Sequence, residues 1–391
     1  MSPARSVIVR SLLAFTVIAA SLAQAQAPPA HVAPYDWLAS HLPRYRELAA
    51  KTWPGPVPSV KKLSPGDAYP GTATLTQILR DLGDLPESAA APADGTYGGA
   101  LVDAVKAFQR RHGLTPDGVI GASTLSALNQ PYSARLRQIE QSLEWLGTIV
   151  PPETDSIIIV NIPAFQLHAW SREDRGKKAT LSMPVVVGRA ARSSTPILVE
   201  EMEHVIFRPY WYVPRGITMN EMMPKLAKDP AYLDKQDIEL TASGDDNAPG
   251  LPATPENIAK VRAGSLSLRQ KPGPGNALGR VKFIFPNSES VYLHDTPAQS
   301  GFTKDRRDFS HGCVRVSNPA ALAEFVLRNV PGWDRARIDK AMAAERPEVA
   351  KLPVVIPVWL VYSTAVAGAD GTLGFYDNIY SRDAPAGGKQ R

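Results

Sequence analysis

The chain has 391 residues, of which 44% are hydrophobic and 21% charged, and 43 basic against 38 acidic residues give a formal net charge of +5. This composition is ordinary for globular domains and excludes wholesale disorder, and so small a charge without a basic tract gives no case for nucleic-acid binding. The one cysteine, Cys313, excludes an intramolecular disulfide and a cysteine-based zinc site, and we expect neither a metal nor another cofactor.

The N-terminus has the features of an export signal. Arg5 and Arg10 precede an apolar run over 11–20, and two A-x-A sequences follow over 23–27. A basic flank, a short apolar core and a small-residue exit are the pattern of a cleaved secretory signal. We therefore assign residues 1–25 to a signal peptide and expect an exported protein with no membrane span once the signal is removed. An uncleaved N-terminal anchor is the alternative.

The N-terminal half is predicted to be helical. Residues 26–64 combine an Ala/Pro-rich linker with a scaffold helix, which we expect over the weakly helical stretch 36–50. Four aliphatic residues at helical spacing then form one apolar stripe: Leu75, Ile78, Leu79 and Leu82. Two D-G turn units, at 94–98 and 117–121, each precede a helical run. The sequence around the second unit resembles the small helical peptidoglycan-binding domain of cell-wall enzymes, and the resemblance covers residues 65–131.

Beyond a connecting scaffold helix in residues 132–152, the pattern changes to short β-branched or aromatic runs. The predicted strands are 157–162, 166–170, 181–187, 204–207, 281–285, 290–294, 354–364 and 372–376. Two helices are predicted over 320–329 and 334–344. Between 218 and 268 the strand pattern lapses into a polar insertion rich in Pro and Gly, either a lid over a cleft or a surface decoration. The sequence therefore predicts an α+β protein with a mostly β domain over 153–383 and a C-terminal tail over 384–391.

The residues that carry chemistry are concentrated between His294 and Asn318. His294 ends a predicted strand, and fifteen residues separate it from Ser310-His311-Gly312-Cys313, with Arg315 two residues farther on. A thiolate is the reactive form of cysteine, and a nearby histidine can take the thiol proton and return it to a leaving amine. Both His294 and His311 are candidates for that base. A buried cysteine that acts only as a small hydrophobe is the alternative.

This combination resembles the active site of the L,D-transpeptidases, the YkuD-type cysteine enzymes of bacterial cell walls. The segment 210–217 (YWYVPRGI) and the closing segments around 361–362 and 377–380 resemble the large Gram-negative members, which also carry a peptidoglycan-binding domain and a capping insertion. The resemblance covers residues 35–383. It implies a β-sandwich catalytic domain with flanking helices and a periplasmic location.

The resemblance also implies a role for each site residue. Cys313 is the nucleophile and His294 the general base, oriented by a backbone carbonyl beside it, that of Asp295. His311 and Gly312 are oxyanion-site and positioning residues. Substrate binding is expected of four residues: Arg315, Ser310, Trp211 and Tyr210. Arg315 alternatively makes a structural ion pair, and the two aromatic residues alternatively belong to the core or the groove wall.

The implied reaction is acyl transfer between peptidoglycan stem peptides, which forms diaminopimelate–diaminopimelate cross-links through a cysteine thioester with release of D-Ala. The expected partners are stem peptides and glycan strands, carbapenems are expected to inhibit covalently, and the expected roles are cell-wall organisation and cell shape. Within the family, L,D-carboxypeptidase activity and lipoprotein attachment or release are alternatives. A non-catalytic peptidoglycan-binding protein is the alternative from another class.

Overall fold

A computed structural model describes residues 33–89, 95–149, 154–190 and 193–382. The predicted signal peptide (1–25), the start of the linker and the predicted tail (384–391) lie outside the described residues. None of the helices within these ranges is both long enough and apolar enough to cross a bilayer.

The N-terminal part is helical, as predicted. Its helices are α1 (Ala33–Ala39), α2 (Leu42–Ala50), α3 (Thr72–Leu82), α4 (Ala100–Arg111), α5 (Ala122–Leu128) and α6 (Tyr132–Gly147). The single helix predicted over 36–50 is wrong: the structure has two helices, because Pro43 stands in the first turn of α2, where its missing N–H costs nothing. The predicted apolar stripe of α3 is confirmed, since its four aliphatic side chains are all buried.

The two D-G turn units pack against each other. Gly95 and Gly118 both have positive φ, at 72° and 75°. The hydroxyl of Tyr97, in the first unit, donates to the carbonyl of Gly118 at 2.6 Å. Gln109 on α4 receives the N–H of Gly118 at 2.9 Å and donates to the carbonyl of Val119 at 2.9 Å. The repeated turns thus form one hydrogen-bonded unit within the helical domain.

The rest of the chain is built on one large sheet. Its strands are β1 (Ser156–Asn161), β2 (Gln166–Ser171), β3 (Leu181–Gly188), β4 (Leu198–Phe207), β8 (Val281–Ile284), β9 (Leu293–His294), β10 (Asp308–Ser310), β11 (Val314–Val316) and β12 (Glu348–Val361). The strand order is β10-β3-β11-β9-β8-β4-β12-β1-β2, and β2 also pairs with β3, so the sheet closes on itself. The strand predicted over 290–294 is shorter than expected, because Ser290 has a φ of 55°, outside the extended region.

The core of this domain lies against one face of the strands that carry the site. Alternate residues of β8, β9 and β11 are buried in it: Val281, Phe283, Leu293, Val314 and Val316. The helices α11 (Pro319–Leu327) and α12 (Arg335–Ala343) add side chains to the same core. Because successive strand residues point to opposite faces, the residues between the buried ones point the other way. They include Lys282, His294 and Arg315.

The segment 218–268, predicted as a polar insertion without strands, contains short helices and strands of its own. Whether it is a lid or a surface decoration stays a prediction. The elements in and around it are β5 (Trp211–Tyr212), α7 (Arg215–Ile217), a π-helix (Thr218–Met222), α8 (Met223–Lys228), α9 (Tyr232–Lys235), β6 (Ile238–Thr241), α10 (Pro255–Ala263) and β7 (Ser267–Gln270). β5, β7 and β6 form a three-stranded sheet. Apolar residues spaced singly along the segment, such as Leu233, Leu240, Val261 and Leu268, converge in a separate hydrophobic core. We call residues 211–270 the cap.

A C-terminal hairpin of β13 (Ala365–Ala367) and β14 (Leu373–Phe375) joins the helical part to the sheet domain. Phe375 packs 5.3 Å from Tyr45 of α2, measured between ring centroids. The Arg111 guanidinium donates to the carbonyl of Leu373 at 2.7 Å and forms an ion pair with Asp84. The helical domain therefore shares one hydrophobic core with the end of the chain.

Candidate active site

The turn from Ser310 to Cys313 connects β10 to β11. The Ser310 hydroxyl donates to the carbonyl of Cys313 at 2.5 Å and accepts the N–H of Gly312 at 3.2 Å. Gly312 has a φ of 118°, which side chains rarely tolerate. Ser310 and Gly312 therefore shape the turn that presents the thiol. Within the described ranges no acceptor meets the N–H of Cys313, so this amide, and not that of Gly312, is available to a substrate oxygen.

Two residues remote in sequence hold the turn from outside. Thr195 is fully buried, and its hydroxyl donates to the carbonyl of Gly312 at 2.8 Å while it accepts the N–H of Gly188 at 2.8 Å. The hydroxyl of Tyr380 accepts the N–H of Thr195 at 3.1 Å and donates to the carbonyl of Gly188 at 2.6 Å. Sequence analysis placed Tyr380 only in a family-like closing segment, and it had no signal for Thr195.

His294 lies at the end of β9 and is 4% exposed. Its Nδ1 is 2.5 Å from the carbonyl oxygen of Asp295, the contact that the resemblance predicts. A carbonyl only accepts hydrogen bonds, so Nδ1 carries the proton and Nε2 keeps a free lone pair. The Asp295 carboxylate does not orient the ring, since it accepts the N–H groups of Arg280 and Thr296 at 2.8 and 2.7 Å. The imidazole is thus fixed in the tautomer that a general base needs.

Burial and the nearby Arg315 lower the pKa of His294 to about 3. Burial raises the pKa of the Cys313 thiol above its ordinary value, although hydrogen bonds from Tyr292 and the charges of Lys282 and Arg315 act in the opposite direction. In the free enzyme both groups are therefore neutral at pH 7, as thiol and imidazole. The proton of the thiol has to move when the substrate is attacked, and not before.

Three side chains form a row across adjacent strands. Lys282 on β8 is paired in register with His294 on β9, and His294 is paired with Arg315 on β11. Residues paired in register point to the same face of the sheet. His294 thus lies between two cations, on the face opposite the hydrophobic core.

Tyr292 and Lys282 belong to the site but were missed by sequence analysis. Tyr292 lowers the pKa of the Cys313 thiol, against the effect of burial, and its ring lies 5.8 Å from the His294 ring. The Lys282 ammonium lies 5.2 Å from the centre of the Tyr292 ring. The thiol itself is 3.7 Å from the carbonyl oxygen of Ser290. One signal was available: Lys282 is the single charged residue inside the apolar run 281–285.

His311 contacts the cap, and no contact of its ring with Cys313 occurs among the described residues. Its Nε2 lies 2.6 Å from Oε1 of Glu221, which belongs to the π-helix of the cap. This nitrogen is therefore engaged, whereas Nε2 of His294 has no hydrogen-bond partner in the part of the chain that the structure describes. The geometry favours His294 over His311 as the base. His311 instead connects the turn of Cys313 to the cap.

Arg315 has no ion-pair partner among the described residues, and its Nε is buried without a hydrogen bond. Burial lowers the pKa of Arg315, and the charge of another cation, Arg189, lowers it further. This arrangement argues against the structural ion pair and favours the binding of a substrate carboxylate.

Trp211 belongs to the cap, and Tyr210 directly precedes it and contacts Arg269 of the cap. Trp211 is on β5, paired with Gln270, and packs against the core of the cap. The ring of Tyr210 lies 4.5 Å from the guanidinium of Arg269, which is itself buried beside Glu239. The structure brings neither aromatic ring to Cys313 in the part of the chain that it describes, so the expected substrate contacts stay predictions. Across the same ranges, no three His, Cys, Asp or Glu side chains are grouped to hold a metal ion.

Comparisons with known proteins identify the family of the catalytic domain. Residues 155–356 match the YkuD family model, the L,D-transpeptidase catalytic domain, and residues 69–128 match the model of a "Putative peptidoglycan binding domain". A Haemophilus influenzae protein named "Putative L,D-transpeptidase" is 31% identical over 236 residues, which are 60% of this chain and 46% of that protein. The chain thus spans about half the length of this curated relative.

Two solved structures are similar at low identity. One is an L,D-transpeptidase (Yku) from Stackebrandtia nassauensis, with 14% identity and a TM-score of 0.29 over 78% of this chain and 96% of that one. The other is a fused Zn-dependent amidase/peptidase/peptidoglycan-binding protein from Clostridium acetobutylicum, with 13% identity and a TM-score of 0.21 over 78% of this chain and all of that one.

Proposed function

Because the chain belongs to the YkuD family of L,D-transpeptidase catalytic domains, we propose that it forms diaminopimelate–diaminopimelate cross-links in peptidoglycan through a thioester on Cys313. The observation that carries the proposal is the orientation of His294 at the end of β9, the strand that pairs with β11 directly after Cys313. Its Nδ1 is bound to the carbonyl of Asp295, and its Nε2 has no hydrogen-bond partner among the described residues. A nucleophile beside an oriented base is the arrangement that acyl transfer requires.

In the first half-reaction, the Cys313 sulfur attacks the carbonyl carbon of diaminopimelate in a tetrapeptide stem. As the C–S bond forms, the thiol proton passes to Nε2 of His294, and the carbonyl oxygen takes up negative charge, which the N–H of Cys313 can stabilise. The intermediate then collapses and the C–N bond breaks. His294 gives its proton to the departing amine, so that D-Ala leaves neutral at nitrogen and a thioester remains.

In the second half-reaction, the side-chain amine of a second stem attacks the thioester carbonyl. His294 takes a proton from this amine and returns it to the sulfur when the C–S bond breaks. The products are an amide that joins two diaminopimelate residues and the original thiol. Lys282 and Arg315 favour the sulfur anion that appears in both steps, because each places positive charge near Cys313.

Hydrolysis and transfer to a lipoprotein differ from cross-linking only in the acceptor. The cap favours cross-linking, because its Glu221 is bound to His311 beside the thioester, where it can restrict the entry of water. The match of residues 69–128 to a peptidoglycan-binding domain supports the same substrate. We extend the proposal to a periplasmic location after signal cleavage and to covalent inhibition by carbapenems, whose strained carbonyl can acylate Cys313.

The test is incubation of the purified protein with disaccharide tetrapeptides, followed by mass analysis of the products. We expect a dimer that has lost one D-Ala, with the new bond between two diaminopimelate residues in fragment spectra. Cys313→Ala should give no dimer and no release of D-Ala. Release of D-Ala without a dimer would identify a carboxypeptidase, and binding without release would identify a non-catalytic protein.

A further inference from the structure

We propose that Lys282 binds the terminal carboxylate of the residue that leaves, and so restricts the enzyme to stems that end one residue beyond the scissile bond. The inference rests on the proposed function and names a residue of the substrate site. It follows from the order of the strands beneath the site, from the lack of an ion-pair partner for Lys282 among the described residues, and from the distance between the leaving amine and its carboxylate.

The strand order fixes the direction of the scissile bond. Cys313 directly precedes β11, β9 carries His294, and β8 carries Lys282, and the three strands lie in this order across the sheet. The carbonyl carbon must lie at the Cys313 sulfur. The leaving nitrogen must lie at Nε2 of His294, which protonates it. The substrate chain therefore crosses from β11 to β9, and its next atoms lie over β8.

The distances agree with this path. In an amino acid the carboxylate carbon is two bonds from the nitrogen, roughly 2.5 Å away. Neighbouring strands are about 4.8 Å apart. A carboxylate whose amine lies over His294 is therefore within reach of a flexible lysine on the next strand. Arg315 is on the other side of His294, on β11 directly after Cys313, and faces the acyl part of the donor.

The surroundings of the Lys282 ammonium group favour the binding of an anion. No carboxylate of the described residues lies within ion-pair distance of its ammonium group, and its contact there is the Tyr292 ring. Burial lowers the pKa of Lys282, while Asp246 of the cap and Cys313 raise it. The carboxylate of Asp246 is held by the Tyr212 hydroxyl at 2.9 Å. A bound carboxylate stabilises a half-buried cation, because part of the cost of removing water from that cation is already met by the fold.

This assignment predicts a specificity rule. A stem one residue longer moves the carboxylate about 3.3–3.6 Å away from Lys282 and places an uncharged amide there. A tetrapeptide whose C-terminus is a carboxamide keeps the length and loses the charge. Both changes should weaken use of the donor, and both losses should depend on Lys282.

The experiment compares kcat/KM for two disaccharide tetrapeptides, one with a terminal D-Ala carboxylate and one with its carboxamide, in four proteins. These are the wild type, Lys282→Met, Lys282→Arg and Lys340→Met, the last being a matched control at an exposed lysine of α12. The ratio of the two donors is the readout, because any effect of Lys282 on the thiol changes both donors equally.

We expect the wild type and Lys340→Met to prefer the carboxylate roughly 10- to 100-fold, the range for a hydrogen bond to a charged group. Lys282→Met should reduce this ratio to about 1, and Lys282→Arg should retain most of it. A wild type that uses both donors equally overturns the inference without any variant, and so does a Lys282→Met protein that keeps the preference. A wild type that converts neither donor refutes the proposed function itself.

Discussion

The pH dependence of Cys313 alkylation tests whether the free enzyme holds a neutral thiol and a neutral imidazole. Burial lowers the pKa of His294 to about 3 and raises that of Cys313 above its ordinary value of 9.0. At pH 7 the thiolate should therefore be about 1% of the total or less. Iodoacetamide reacts with the thiolate, so the second-order rate constant should rise about tenfold per pH unit between pH 6 and 8.

The assay is the mass shift of the intact protein in quenched samples, and Cys313 is the single alkylation site because the chain has one cysteine. His294→Gln is the control: near pH 10 its alkylation rate should approach that of the wild type, while its turnover of tetrapeptide at pH 7 should fall roughly 10²–10⁴-fold, the usual contribution of a general base. A thiolate–imidazolium pair would instead give a rate that stays level between pH 5 and 8. Such a plateau would refute the neutral resting state.

Three further predictions concern the turn, the cap and two histidines whose pKa values are lowered. Gly312→Ala should slow acylation roughly 5- to 150-fold at unchanged secondary structure, because a side chain at a φ of 118° costs about 1–3 kcal/mol. An acylation rate equal to that of the wild type would contradict the role of the turn. Glu221→Ala should raise the ratio of hydrolysed to cross-linked product several-fold, and His311→Ala should give the same increase. Because both substitutions remove the same contact, the double variant should show no further increase. Additive effects would show that the two residues act independently and would contradict this role. The melting temperature should fall as the pH falls from 6.5 toward 4, because unfolded histidines bind protons in this range while His168 and His294, with pKa values of about 4 and 3 in the folded protein, do not; His168→Gln should flatten the curve, and a melting temperature that does not change over this range would contradict the assignment.

The catalytic turn could be predicted because its residues are contiguous and chemically distinctive. Ser310, Gly312 and Cys313 lie within four positions, and the conformation of a tight turn depends on local sequence. His294 was found because a histidine at a strand end stands out beside such a turn. The contact of its Nδ1 with the Asp295 carbonyl followed from the family resemblance, and periodicity contains no information about it.

Lys282, Tyr292 and Thr195 could not be predicted because their positions depend on pairing between remote strands. Lys282 reaches the site through its register with His294, and Thr195 reaches Gly312 across more than a hundred residues. Register is set by the packing of the whole sheet, so no local pattern encodes it. Alternation along β8 did indicate that Lys282 faces away from the core, but not what lies on that face.

The fold of the cap was missed for a related reason. Its apolar residues are separated by prolines, glycines and charged residues, so no window shows a sustained period. Leu233, Leu240 and Leu268 form a core only after three short strands have paired. A folded cap also changes how its role must be tested, because shortening it would remove core residues, whereas Glu221→Ala removes one surface contact.

The shared core of the helical part has a similar consequence. The rings of His112 and Phe375 lie 6.0 Å apart, and Arg111 donates to the carbonyl of Leu373. Removal of residues 65–131 would therefore expose apolar surface of the C-terminal hairpin. Surface substitutions within the helical domain, assayed by sedimentation with sacculi, are the cleaner test of wall binding.

The central claim is that Cys313 carries the acyl group during turnover. The most direct measurement is the intact mass of the protein, quenched with acid within seconds of mixing with a tetrapeptide donor in the absence of an acceptor, followed by peptide mapping. The account predicts an adduct equal to the donor minus D-Ala, located on Cys313, removed by hydroxylamine and absent from Cys313→Ala. Cross-linked product that forms with no such adduct, or an adduct that persists in Cys313→Ala, would contradict it.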